Sequence, residues 1–287
     1  MTAVTAPAPA HIPEAAELQR RARASARTAY LALLLRDLTV LRKPRGLFEF
    51  LSRSLIQPFL LVFVFTYVFP KIGQGVGGEG AGAAEFSTIL VAGVIGLSIL
   101  FQGIQSVALP MVQEFGYTRE IEDRVLAPLP VALVALAKVT SGACNGLFSA
   151  LLVFPIAAIV PATPVHLTMH WLVLLTLTPL ACYMCGALGL TFGTRFDPRT
   201  VPMLFGVVVL PLTFLGAIYY PWSSLEAIRW LQILVLVNPL VYMCEGFRAA
   251  LTDSPHMTLW AVYPVMIGFS ALFTWLGIAG FKKRVVS

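Results

Sequence analysis

Charge is scarce in this chain. Of its 287 residues, 12% are Asp, Glu, Lys or Arg, about half the share of an ordinary soluble domain. Hydrophobic residues make up 58%, against about 45–50% in such domains, which excludes a water-exposed globule. Acidic groups are scarcer than basic ones, 14 against 20, and there are four histidines and four cysteines. No GxxxxGK(S/T) run occurs, so these residues cannot cradle ATP phosphates as a P-loop does. No internal repeat is visible, which weighs against transporters built from duplicated halves.

What the chain does have is long apolar runs, and about twenty such residues span the hydrocarbon of a bilayer. Six spans are predicted, near 54–69, 89–112, 139–160, 171–192, 201–219 and 259–281. The fold class is therefore an all-α membrane protein. The first run is short for a span, so its helix is expected to begin near Gly46, with Arg53 reaching back to the headgroups. An even number of spans puts both termini on one side. Seventeen basic residues fall before the first span, in the second and fourth loops and at the C-terminus, against Lys71, Arg229 and Arg248 on the other face. Retention of Lys and Arg on the inner side predicts cytoplasmic termini in a multi-pass cell (plasma) membrane protein. Trp171, Trp222, Trp230 and Trp260 fall near the predicted outer interface, where amphipathic rings settle. The +6 balance is thus an orientation signal, and no nucleic-acid partner is expected.

Met1–Gln19 is rich in Ala, Pro and Thr and reads as part of a disordered cytoplasmic leader over 1–29; it lacks the apolar core of a signal peptide. Tyr30–Lys43 carries Leu31, Leu34, Leu35, Leu38 and Leu41 on one helical face, as an interfacial amphipathic helix would. The alternative is simple continuation into the first span, against which Pro44 and Gly46 speak. Gly73–Gly78 matches GxGxxG literally but lies between two spans and reads as an outer loop. Gly142/Gly146 and Gly189/Gly193 are GxxxG pairs in the third and fourth spans, where small residues let helices approach, and the two pairs are expected to face each other. Pro155 and Pro211 lie inside spans and are expected to kink them. Cys144, Cys182, Cys185 and Cys244 sit in apolar surroundings and read as small packing residues, despite the CxxC spacing of the middle two. His166 and His170 have helical i, i+4 spacing but no third ligand nearby, so no metal and no catalytic residue is assigned.

Two stretches carry information beyond topology. In the second loop, Glu114, Arg119, Glu120, Glu122, Asp123 and Arg124 crowd into eleven residues, followed by Pro128 and Pro130. Their acidic members suit the first turn of a short polar helix. That helix is either a solvated connection or a docking knob for a cytoplasmic partner. Beyond the fifth span comes Pro221, an apolar segment 225–237 too short to cross, then Asn238-Pro239, Tyr242, Glu245 and Arg248. The pattern predicts a re-entrant outer hairpin that turns at Asn238-Pro239. Glu245 and Arg248, three apart, would form an ion pair on one face of its second half-helix. A gate and a structural plug fit this hairpin equally.

From about Tyr30 to the C-terminus the chain resembles the ABC-2 family of ABC transporter permeases, which includes daunorubicin-resistance-type drug exporters and Nod-factor and polysaccharide exporters. Glu114, Gly116 and Thr118, with Leu126-Ala-Pro128, look like that family's cytoplasmic loop. Pro221, Asn238-Pro239, Tyr242, Glu245 and Arg248 look like its outer hairpin. A proline common ahead of the first half-helix is replaced here by Leu225-Glu226. The resemblance implies a transmembrane domain over 30–287 and a permease subunit rather than an enzyme. It implies a second permease subunit, as a homodimer, and two copies of a separate ABC ATPase subunit that binds ATP-Mg. No cofactor is expected on this chain, and membrane lipids surround it. The 114–124 helix would pass the ATPase motion to the second and third spans. The spans hold almost no ionisable groups, so the cargo is expected to be a hydrophobic or amphiphilic, drug-like compound. A lipid or lipid-linked polysaccharide is the alternative cargo, and a proton-coupled secondary transporter the alternative mechanism.

Overall fold

The computed structural model describes residues 15–39, 43–73, 81–116, 130–161 and 165–286. Helices dominate and no strand occurs among the described residues. We number the helical elements α1 (Ala15–Thr39), α2 (Pro44–Lys71), α3 (Ala81–Gly116), α4 (Val131–Ile159), α5 (Trp171–Arg195), α6 (Val201–Phe214), α7 (Trp222–Val237), α8 (Pro239–Leu251) and α9 (Leu259–Val286). Five of them, α2, α3, α4, α5 and α9, are long and apolar enough to cross a membrane.

The boundaries follow local chemistry. Extended Lys43 leads into Pro44, whose fixed φ and missing N–H suit a first helical position, so α2 starts two residues before the expected Gly46. Arg53 lies within α2 and pairs with Glu49 one turn away. Of the helix expected over Tyr30–Lys43, residues 30–39 form the second half of α1, and 40–42 lie outside the described residues. That half packs on α4, where the Tyr30 hydroxyl meets Thr140 Oγ1 at 2.6 Å.

The fifth predicted span is helical only as far as Phe214, not Tyr219. Its 14 residues give about 21 Å of helix, short of a bilayer's hydrocarbon. It opens into a π-turn over Phe205–Val209, ending two residues before Pro211, whose ring removes one bond of a regular ladder. A second π-turn, Val64–Val68, interrupts α2, again near a proline, Pro70. Pro155, by contrast, sits inside an unbroken α4.

At the centre stands α3: 89% of its most apolar window is buried, against 22% for α2 and α9. It is wedged between α4 and α5 by glycine. The two GxxxG pairs do not face each other. Gly142 meets Val107 of α3 and Gly186 of α5, and Gly146 meets Cys182 of α5. Gly189 and Gly193 instead face α3, at the Ile104 carbonyl and Met111. One glycine seam thus joins three helices, and cysteines fill its small gaps: Cys185 against Gly103, Cys182 against Gly146, Cys244 against Gly96. All four cysteines are free. A Cβ on Gly186 would lie 2.7 Å from the Val139 carbonyl oxygen, which belongs to backbone and cannot swing aside. Gly186→Val should therefore lower the melting temperature by about 5–10 °C in a thermal-shift assay, given overpacking costs of about 1–3 kcal/mol. Gly268→Ala, where nothing lies within 4 Å, should leave it unchanged.

Candidate functional site

The ends of α3, α5 and α9 and the start of α4 gather at one end of the bundle, here called basal. Phe115 packs on Phe281, Arg284 lies 5.2 Å over the Phe115 ring, and Arg284 Nη2 donates to the Phe196 carbonyl at 2.5 Å. The starts of α5 and α9 lie at the opposite, distal end. Among the described residues, each end holds one cluster of buried charge.

The basal cluster is centred on Lys138. Its Nζ stands 2.9 Å from Glu114 Oε1 at the end of α3 and 2.9 Å from Asp37 Oδ2 of α1. Lys138 and Glu114 are each 6% exposed. One ammonium therefore ties three helices beside the connection 117–129. Of the charged loop residues, Glu114 is placed by this contact, while Arg119, Glu120, Glu122, Asp123 and Arg124 lie outside the described residues, as does Thr118. Sequence reasoning counted Lys138 as a loop charge and gave Asp37 no role. The signal was available: a lone lysine seven residues into an apolar helix needs a partner.

The distal cluster lies on α8. The chain between α6 and α9 forms the expected hairpin: α7, a mixture of 3-10 and α turns, is bent 103° from α8 at Asn238. All thirteen residues of α8 are buried. Met243 meets Cys185, fourteen residues into α5, Gly246 faces Leu177, and His170 N donates to the Ala250 carbonyl at the distal surface. The turn therefore lies deep in the bundle, and α8 climbs back to the end from which α7 descends. Asn238 makes the turn possible: Oδ1 caps α8 by accepting from Leu240 N at 3.0 Å, and Nδ2 donates to the Leu212 carbonyl of α6 at 2.7 Å. Pro239 occupies the first helical position, where its missing N–H costs nothing. The Tyr242 hydroxyl donates to the Leu236 carbonyl across the bend at 3.0 Å.

Glu245 and Arg248 pair at 2.7 Å and are 1% and 0% exposed. The predicted intrahelical pair is present, but it is enclosed and acts as a clamp on two loops, the α6–α7 and α8–α9 connections. Glu245 Oε1 accepts Trp222 N, next to Pro221 at the start of α7, and Oε2 accepts Met257 N before α9, each at 2.7 Å. Arg248 Nη2 donates to the carbonyls of Ala217 and Ile218. Ala217 adopts φ 53°, a left-handed conformation unusual for a residue with a Cβ, and this turns its carbonyl toward the guanidinium. Trp222, Met257 and Ala217 contribute only backbone groups to the clamp, which no side-chain pattern announces.

His166 and His170 lie in a non-helical segment, so the i, i+4 geometry does not apply; His170 Nε2 lies 3.7 Å from Asp253. Among the described residues no group of three metal-ligating side chains forms.

Comparison with known proteins bears on this architecture. A family model described as ABC-2 type transporter matches residues 29–252. The chain is also 30% identical over 230 residues to proteins named inner membrane transport permease YadH, from Escherichia coli K12 and Shigella flexneri. The match covers 78% of this chain and 86% of those relatives.

Proposed function

The chain belongs to the ABC-2 type transporter family and is a membrane permease subunit of an ABC transporter, and we propose that it exports a hydrophobic or amphiphilic compound. In this reading both termini and the basal end face the cytoplasm, and α1 lies along the inner interface. Two copies of the chain pair with two copies of a separate ABC ATPase, which supplies the ATP chemistry. The seventeen-to-three distribution of basic residues supports the orientation.

The observation that carries the mechanism is the Asp37–Lys138–Glu114 cluster. A flexible connection would absorb a push delivered to 117–129. Here the helix entering that connection and the helix leaving it are joined by a buried ion pair, with α1 attached to the same ammonium. ATPase closure then moves α3, α4 and α1 together, the inward cavity between paired permeases narrows, and cargo leaves past the hairpin. The cargo class is supported by the separation of the two charge clusters: between them, buried polar side chains are hydroxyls and amides such as Ser54, Gln102 and Asn145. Such a surface suits an uncharged or amphiphilic molecule better than a small ion.

A mild-detergent pull-down of the tagged chain from native membranes tests the assembly. A stoichiometric partner with a Walker A motif and vanadate-sensitive ATP hydrolysis is the expected result. A chain that elutes alone and inert, even after gentler extraction, would overturn it. Cargo is then read in proteoliposomes of the complex, with a fluorescent apolar compound and a labelled phospholipid as separate arms.

A further inference from the structure

At the distal end a cleft of about 470 Å³ opens between the hairpin and α9, within the size range of small-molecule sites of about 300–1,000 Å³. Its walls are Trp222 and Leu236 of α7, Tyr242 of α8, Met257, and Ala261 and Val265 of α9. The polar atoms of these walls are already engaged within the protein. Trp222 N and Met257 N donate to Glu245, Trp222 Nε1 donates to the Gln232 carbonyl at 3.1 Å, and the Tyr242 hydroxyl donates to Leu236. What remains toward the space is mostly apolar side-chain surface, with the Ser223 hydroxyl beside Trp222. Exposed His256 and Thr258 supply polar groups where the cleft meets solvent. Beside it, α7 presents Trp230, Ile233, Leu234 and Val237 outward as an apolar flank.

We propose that this cleft binds one acyl chain of a membrane phospholipid, with the headgroup against His256 and Thr258. A chain needs no hydrogen bonds from the walls, and the apolar flank of α7 gives it a lateral entry. The two sides of the cleft, Trp222 and Met257, hang from the two oxygens of one carboxylate, so a lodged chain wedges against the Glu245–Arg248 clamp and seats the hairpin. The assignment does not depend on which compound is exported.

The test uses the full chain in nanodiscs containing a phospholipid with a diazirine on its acyl chain. After irradiation and digestion, label should concentrate on Tyr242 and on the peptide Met257–Val265, well above the level at Leu175, an exposed apolar residue of α5. Ala261→Trp fills the space and should reduce cleft labelling about tenfold, equivalent to about 1.4 kcal/mol, with Leu175 labelling unchanged. If that variant does not fold, Val265→Phe serves the same purpose. Cleft labelling no higher than at Leu175, or insensitive to the filling variants, would overturn the proposal. So would displacement of the label by a transported compound, which would make the cleft a cargo site.

Discussion

Replacing Arg248 with methionine is expected to prevent accumulation of folded protein, or to leave a residue that melts far below the parent. The substitution keeps most of the side chain's volume and removes only its charge and donors. Glu245 is then an uncompensated carboxylate at 1% exposure, a defect that costs about 3–5 kcal/mol. The carbonyls of Ala217 and Ile218 lose their donor as well, so the α6–α7 loop is released from α8. Glu245→Gln should also be costly, because it leaves the Arg248 guanidinium uncompensated at 0% exposure, and combining the two changes should recover part of the loss. Thermal melting followed by size-exclusion chromatography in detergent would measure all three. A single-variant Arg248→Met protein that melts with the parent would show that the clamp carries no net stability.

The second large effect is on coupling. Lys138→Met should lower the melting temperature, since it strands Glu114 at 6% exposure, and in the fraction that folds and assembles with its ATPase cargo moved per ATP hydrolysed should fall about tenfold, as losing about 1.4 kcal/mol of coupling would produce. The methionine fills the same space but no longer joins α3 to α1: Asp37 and Glu114 lose the ammonium between them, with Arg36 still 4.0 Å from Asp37. Lys138→Arg should restore the ratio, because the guanidinium reaches both carboxylates. The decisive readout is the transport-to-hydrolysis ratio in proteoliposomes. A merely structural lysine would lower both rates together and leave that ratio unchanged.

The parts of this architecture that were legible in the sequence are those set by local chemistry. Long apolar runs give five of the six expected spans, Pro44 and Gly46 mark the break ahead of α2, and Asn238-Pro239 marks the hairpin turn. Three-residue spacing pairs Glu245 with Arg248. What escaped depends on contacts between distant segments. GxxxG shows that a helix face is small but not which helix approaches it, so Gly189 and Gly193 proved to meet α3 rather than α4. The helix α6 ends at Phe214, where the chain turns and Ala217 takes a left-handed conformation, not where its apolar residues end. Full burial of α8 was hidden because a helix carrying Glu and Arg reads as peripheral. Only the backbone groups converging on those two side chains make their enclosure tolerable.

The π-turns in α2 and α6 have a mechanical consequence. Each is a single residue more than a regular helix would use over that stretch. An extra residue can be handed along a helix one position at a time, breaking one hydrogen bond as another forms. Each step rotates the side chains it passes by about 100° relative to those it has not reached. These two segments can therefore swivel in place, presenting a different stripe of side chains to whatever lies alongside, while the glycine-seamed core of α3, α4 and α5 keeps its register.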